Sequence, residues 1–236
     1  MFYFYDYYMY SNSLYLFIAI AILGISIFAN LRIMLTFNKY SKIKCNLSGV
    51  EASRIVLKQN DVDDVEFYRS EGYLSDHFDP RNNSISLSGS VYGKHSISAI
   101  GVGAHEAGHA VQFAQNYFMM KLRHFFVPIT NFSTLIATPL VFLGLMLPVQ
   151  YSFIINIGIA LFSVSIIFHM ITLPVESDAS NRALIALEDS GVLSPDELYG
   201  ARKVLMAARF TYIAAIATSV LSLLRLILIS QNRRKR

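Results

Sequence analysis

Residues 124–175 read HFFVPITNFSTLIATPLVFLGLMLPVQYSFIINIGIALFSVSIIFHMITLPV, a run without a single Asp, Glu, Lys or Arg. Drawn as one helix, these 52 residues would measure about 78 Å against about 30 Å of bilayer hydrocarbon, so the stretch must fold back on itself. Pro148-Val149-Gln150 is the natural bend, which leaves 125–147 and 151–173 as the two spans, with Pro128 and Pro139 as expected kinks. A hairpin returns the chain to the membrane face it left. The first charge met there is Glu176, and just upstream of the run stands His105-Glu106-Ala107-Gly108-His109.

That pentapeptide carries a chemistry. At 3.6 residues per turn, His105 and His109 share one helix face and can grip a single metal ion, while Glu106 is rotated toward a metal-bound water. Glu176 is the expected third ligand and one Zn2+ the expected ion. Three protein ligands leave a fourth position for water, whose pKa falls to about 7, with Glu106 as general base and later as acid toward the departing amine. Asp178 competes with Glu176, but residues two apart cannot point the same way on a helix. It is read instead as a group that holds a ligating histidine in the correct tautomer. Tyr92, His77 and Arg182 are the candidates to meet the oxyanion or the substrate. His169 lies inside a span, where a polar group is costly and is best bonded to a neighbouring helix. His95, His124 and Met119-Met120 read as ordinary polar and packing residues.

Composition agrees with a membrane protein. The chain has 236 residues, of which 54% are apolar and only 15% charged, and its mean hydropathy is positive. The net charge of +4 comes from basic residues dispersed or set beside apolar spans, so nucleic acid is not an expected partner. One cysteine, Cys45, excludes an internal disulfide and a cysteine-rich zinc ribbon. The metal must rely on histidine and carboxylate.

The expected fold is mainly α, a multi-pass membrane protein with a small α+β insertion and a zincin-like core. It falls into five segments. Residues 1–40 hold an aromatic belt over 1–10 and a retained anchor over 14–36, whose inner end is marked by Arg32, Lys39, Lys42 and Lys44. Residues 41–123 are the soluble catalytic segment, with Ser48 and Glu51 as a capping box for a short helix, strands at 65–68 and 85–87, and the histidine helix starting near Ser96 or Ser98. The strand at 85–87 is read as a possible edge for an extended peptide. Residues 124–175 are the hairpin. In 176–209, Pro174 suits the first turn of a new helix bearing Glu176, and Ser194-Pro195-Asp196-Glu197 opens the next. Residues 210–236 form an apolar segment interrupted by Arg225 and ended by a basic tail. Crossing, lying along the interface and re-entering all remain open for this segment.

A resemblance adds to this reading. Gly72-Tyr73-Leu74-Ser75-Asp76-His77-Phe78-Asp79-Pro80-Arg81, Val91-Tyr92-Gly93, Gly101 through Gln112, and Leu173-Pro174-Val175-Glu176-Ser177-Asp178-Ala179-Ser180 together resemble the YugP-like neutral zinc metallopeptidase family of bacterial membranes. The resemblance implies a membrane gluzincin, distantly similar to the prenyl-protein and heat-shock membrane proteases. It implies His105, His109 and Glu176 as zinc ligands and Glu106 as catalytic base. Where those distant relatives place an Asp four residues past the third ligand, this chain has Ser180. The expected activity is hydrolysis of peptide bonds in membrane or membrane-proximal proteins, at a site on the cytosolic side of the cytoplasmic membrane. Two rivals stay open: a zinc-binding scaffold without hydrolytic activity, and an intramembrane-cleaving protease with its metal deep in the bilayer.

Overall fold

A computed structural model describes residues 2–72 and 75–234, and side chains within 13–72 and 75–233. The aromatic belt expected over residues 1–10 and the last residues of the basic tail lie outside the described side chains. In chain order the elements are α1 (Phe2–Tyr40), α2 (Gly49–Gln59), β1 (Glu66–Ser70), β2 (His77–Asp79), β3 (Ser84–Ser88), α3 (Ile97–Ala114), α4 (Phe118–Met146), a 3-10 turn at Val149–Tyr151, α5 (Phe153–Asp189) and α6 (Pro195–Arg234). The chain is a mainly α membrane protein with a small three-stranded insertion. Among the described residues, four helices are long and apolar enough to cross a membrane.

The Cα framework divides into two units. The first comprises Met1–Ala29, Arg123–Ile171 and Tyr212–Arg236. Within it, α4 and α5 form the hairpin, turning at Pro148 through the 3-10 turn. Gly158 allows the two helices to close, since a Cβ there would stand 3.1 Å from the Ala137 carbonyl oxygen. Pro128 and Pro139 both sit inside α4. The C-terminal end of α6 lies with the start of α1 and the α4–α5 turn: Tyr15 donates to the Leu228 carbonyl, and Arg233 reaches the Gly144 carbonyl. The segment whose path the sequence left open therefore runs antiparallel to α1 through this unit.

The second unit comprises Asn30–Leu122 and Thr172–Thr211. Its core gathers Val56, Ile85, Leu87, Val91, Ile100, Val111 and Leu187 around α3. The helix starts follow the expected chemistry. The Ser48 hydroxyl accepts from the Glu51 amide while the Glu51 carboxylate accepts from the Ser48 amide at 2.7 Å, and Ser194 with Glu197 repeats the arrangement. The sheet order is β1-β3-β2, with β3 parallel to β1 and antiparallel to β2. This corrects the peptide-edge reading of 85–87. That strand is central and bonded on both sides, because its Ile85 and Leu87 are fully buried and a buried strand needs partners for both rows of backbone groups. The short β2 was not expected from the sequence.

A second correction concerns Pro174. It does not open a new helix: α5 runs unbroken from Phe153 to Asp189 with Pro174 inside it. Proline removes one backbone hydrogen bond and disfavours helix for the residue before it, but buried neighbours on both sides, Thr172 and Val175, hold the helical path. Glu176 is thus a mid-helix residue, and the boundary expected between 175 and 176 does not separate two elements.

Candidate metal centre

The histidine helix α3 is anchored at its start. The Ser96 hydroxyl accepts from the Ala99 amide, and the buried Ser98 hydroxyl donates to the Phe37 carbonyl at 2.7 Å. Two glycines then let other helices reach it. A Cβ at Gly103 would stand 2.2 Å from the Gly49 carbonyl oxygen, and one at Gly108 would stand 2.3 Å from that of Ala179. No side chain fits at either contact, so glycine brings α5 onto the face of α3 that carries the histidines.

On that face, His105 Nε2 lies 3.1 Å from Glu176 Oε2, and His109 Nε2 lies 3.6 Å from the same oxygen. One donor atom from each of the three residues falls within 4.8 Å of the others. The imidazole rings stand edge to face at 4.7 Å. The far nitrogens are held as well: His109 Nδ1 donates to Gln112 Oε1 at 3.0 Å, and His105 Nδ1 meets Ser180 Oγ at 3.1 Å. Gln112 Nε2 in turn donates to the Val175 carbonyl and to Asp178, both at 2.8 Å.

This donor set fits zinc. Zinc takes imidazole nitrogen and carboxylate oxygen, and ligating histidines characteristically have the other ring nitrogen tied to a fixed partner, which aims the first. The electrostatics also favour a cation. Burial opposes a proton on His109, yet the hydrogen bond and charge of Glu176 and the charge of Glu106 prevail and raise its pKa. Glu106 is buried beside the pair, 8% exposed, one residue past His105.

The other expected residues have other surroundings. Asp178 meets Gln112 and Arg182, so it acts on His109 one link removed. Arg182 is engaged by Asp178 and Gln115 and lies over the Tyr117 ring. Tyr92 packs against the core, and His77 is exposed in β2 with Nδ1 2.8 Å from the Ser75 carbonyl. His169 is half-buried beside the Phe168 ring. Gln112 and Ser180 were missed as supports of the histidines. Spacing could have flagged both, since Gln112 is three residues past His109 and Ser180 four past Glu176, each on the face of its helix that bears the ligand.

Comparison with known proteins agrees with this geometry. A family model described as "Putative neutral zinc metallopeptidase" matches residues 15–231. The "Putative membrane protease YugP" of Bacillus subtilis (strain 168) is 42% identical over 223 residues, covering 94% of this chain and 98% of that protein. No solved structure matches the chain. With the match running from the first apolar helix through the dihistidine helix and Glu176 into α6, the chain belongs to this neutral zinc metallopeptidase family.

Proposed function

We propose that the protein is a membrane-embedded zinc endopeptidase that cuts peptide bonds in membrane or membrane-proximal proteins. The observation that carries this reading is the convergence of His105 Nε2, His109 Nε2 and Glu176 Oε2 beside the buried Glu106. His105, His109 and Glu176 would hold one zinc ion. When bound, zinc supplies Lewis acidity toward a carbonyl oxygen and lowers the pKa of water to about 7. Glu106 takes a proton from the attacking water on its carboxylate and returns it to the nitrogen of the departing amine. Gln112 keeps the proton of His109 on Nδ1, and Ser180 orients His105, so both Nε2 lone pairs stay aimed inward. Of the three candidates for substrate or oxyanion contact, His77 is the one exposed to solvent, and it is the one we assign to substrate.

The flanking charges support a cytosolic position for the catalytic segment. Arg32, Lys39, Lys42, Lys44, Lys121, Arg123, Arg202, Lys203 and Arg209 mark the ends of α1, α4 and α6 that border residues 41–122 and 172–211, and they outnumber the basic tail.

The test is zinc content and peptide cleavage of the full chain in detergent, wild type against Glu106→Gln. Equal zinc with cleavage reduced about 10²- to 10⁴-fold is expected, the usual contribution of a positioned acid–base. Zinc in both with no difference in cleavage, or none from either across a broad panel of peptides, would favour the scaffold reading.

A further inference from the structure

The unit formed by α4, α5 and the end of α6 holds a groove of about 370 Å³. Its walls are apolar, with Val141 and Phe142 from α4, Phe162 from α5 and Leu226 from α6, yet Arg225 lines it too, with the Thr138 and Ser222 side chains beside it. The Arg225 Nε is buried and has no hydrogen-bond partner. Nor is there an Asp or Glu among the residues of this unit whose side chains are described. An arginine inside an apolar helix is costly and is kept where it meets a counter-charge, so the charge it meets here comes from beyond the described side chains. The groove supplies the rest of the specification, since a ligand that fits must carry an anionic head and an apolar body.

The location narrows the choice. Tyr15, Asn232, Ser230 and Asn156 hydrogen-bond around the C-terminal end of α6 and form its polar end. Arg225 stands five residues deeper than Ser230, about 7 Å along the helix axis, a gap the arginine stem can bridge toward a headgroup. Guanidinium pairs with phosphate through two parallel N–H donors. We infer that this groove is a binding site for an anionic phospholipid, its phosphate on Arg225 and an acyl chain between α4 and α6. The inference does not depend on the proteolytic reading, and its test reads lipid rather than cleavage.

The full chain, delipidated in detergent and returned to nanodiscs of phosphatidylcholine and phosphatidylglycerol, is assayed for retained lipid by mass spectrometry. Wild type should retain phosphatidylglycerol over phosphatidylcholine by about fivefold, the worth of one basic residue at an anionic membrane surface. Arg225→Gln should lose that preference and Arg225→Lys keep most of it. Leu226→Trp, which fills the groove and leaves the charge, should release the lipid, so the inference stays testable if Arg225→Gln does not fold. Equal retention by wild type and Arg225→Gln overturns it. So does displacement of phosphatidylglycerol by millimolar inorganic phosphate, the mark of a free-anion site, or capture of a polypeptide rather than lipid by a photo-crosslinker at residue 226, the mark of a substrate groove.

Discussion

The amide of Gln112 satisfies its neighbours in one orientation only. Its Nε2 donates to the Val175 carbonyl and the Asp178 carboxylate, so its Oε1 is left to accept from His109, and His109 must carry its proton on Nδ1. Arg182 closes the chain by holding Asp178. Replacing Gln112 with Leu leaves the His109 ring unheld and Asp178 short of a partner. Zinc affinity should fall about 10- to 100-fold, the usual cost of losing such a support, as read by competition with a chromogenic chelator. Unchanged affinity would show that packing alone orients the ring. His105, Glu106 and His109 were readable from spacing because one helix carries all three. Gln112 also stands on that helix, three residues past His109, but spacing alone does not fix its orientation, because the partners that do so, Val175 and Asp178, lie more than 60 residues away.

Helix contacts decide whether the ligands meet. Gly108 has no room for a Cβ, and what stands in the way is the Ala179 carbonyl, part of a backbone that cannot swing aside. Gly108→Ala should therefore push α5 from α3, costing about 1–3 kcal/mol as an overpacked contact does, and zinc retention after gel filtration should drop with the melting temperature. Stability lost with zinc binding intact would mean that the Glu176 arm adjusts independently. The cap of α2 has a separate signature. The Ser48 backbone amide, and then its hydroxyl, hold the Glu51 carboxyl below the usual carboxylate range. A lowered folded pKa gives stability that is present above the unfolded value of about 4.3 and is lost as pH falls through the folded one. Ser48→Ala should cost about 1 kcal/mol at neutral pH, and the difference from wild type should shrink in thermal melts below about pH 4. The caps at Ser48, Ser96 and Ser194 were legible because each is satisfied within four residues. The continuity of α5 was not: Pro174 by itself favours a start, and only packing around Thr172 and Val175 overrides it.

The topology proposed from the charges at the helix ends can be tested by labelling. With residues 41–122 in the cytosol, a cysteine placed at the exposed Lys94 in a Cys45→Ser background should react with a membrane-impermeant maleimide only after the cells are opened. Labelling of intact cells at the same rate would invert the orientation. The membrane class, the hairpin and the dihistidine motif were all decided by local or one-dimensional information: the length of a charge-free run against the thickness of a bilayer, and a spacing of four on a helix. Three features depended on segments distant in sequence. The path of α6 was settled by Tyr15 and Leu228, the central position of β3 by its partners on either side, and the third arm of the site by Gly108 against Ala179. Periodicity and capping are satisfied within a few residues and leave their mark on the chain, whereas the partners of Glu176, Gln112 and Ser180 exist only once α3 and α5 have closed on one another.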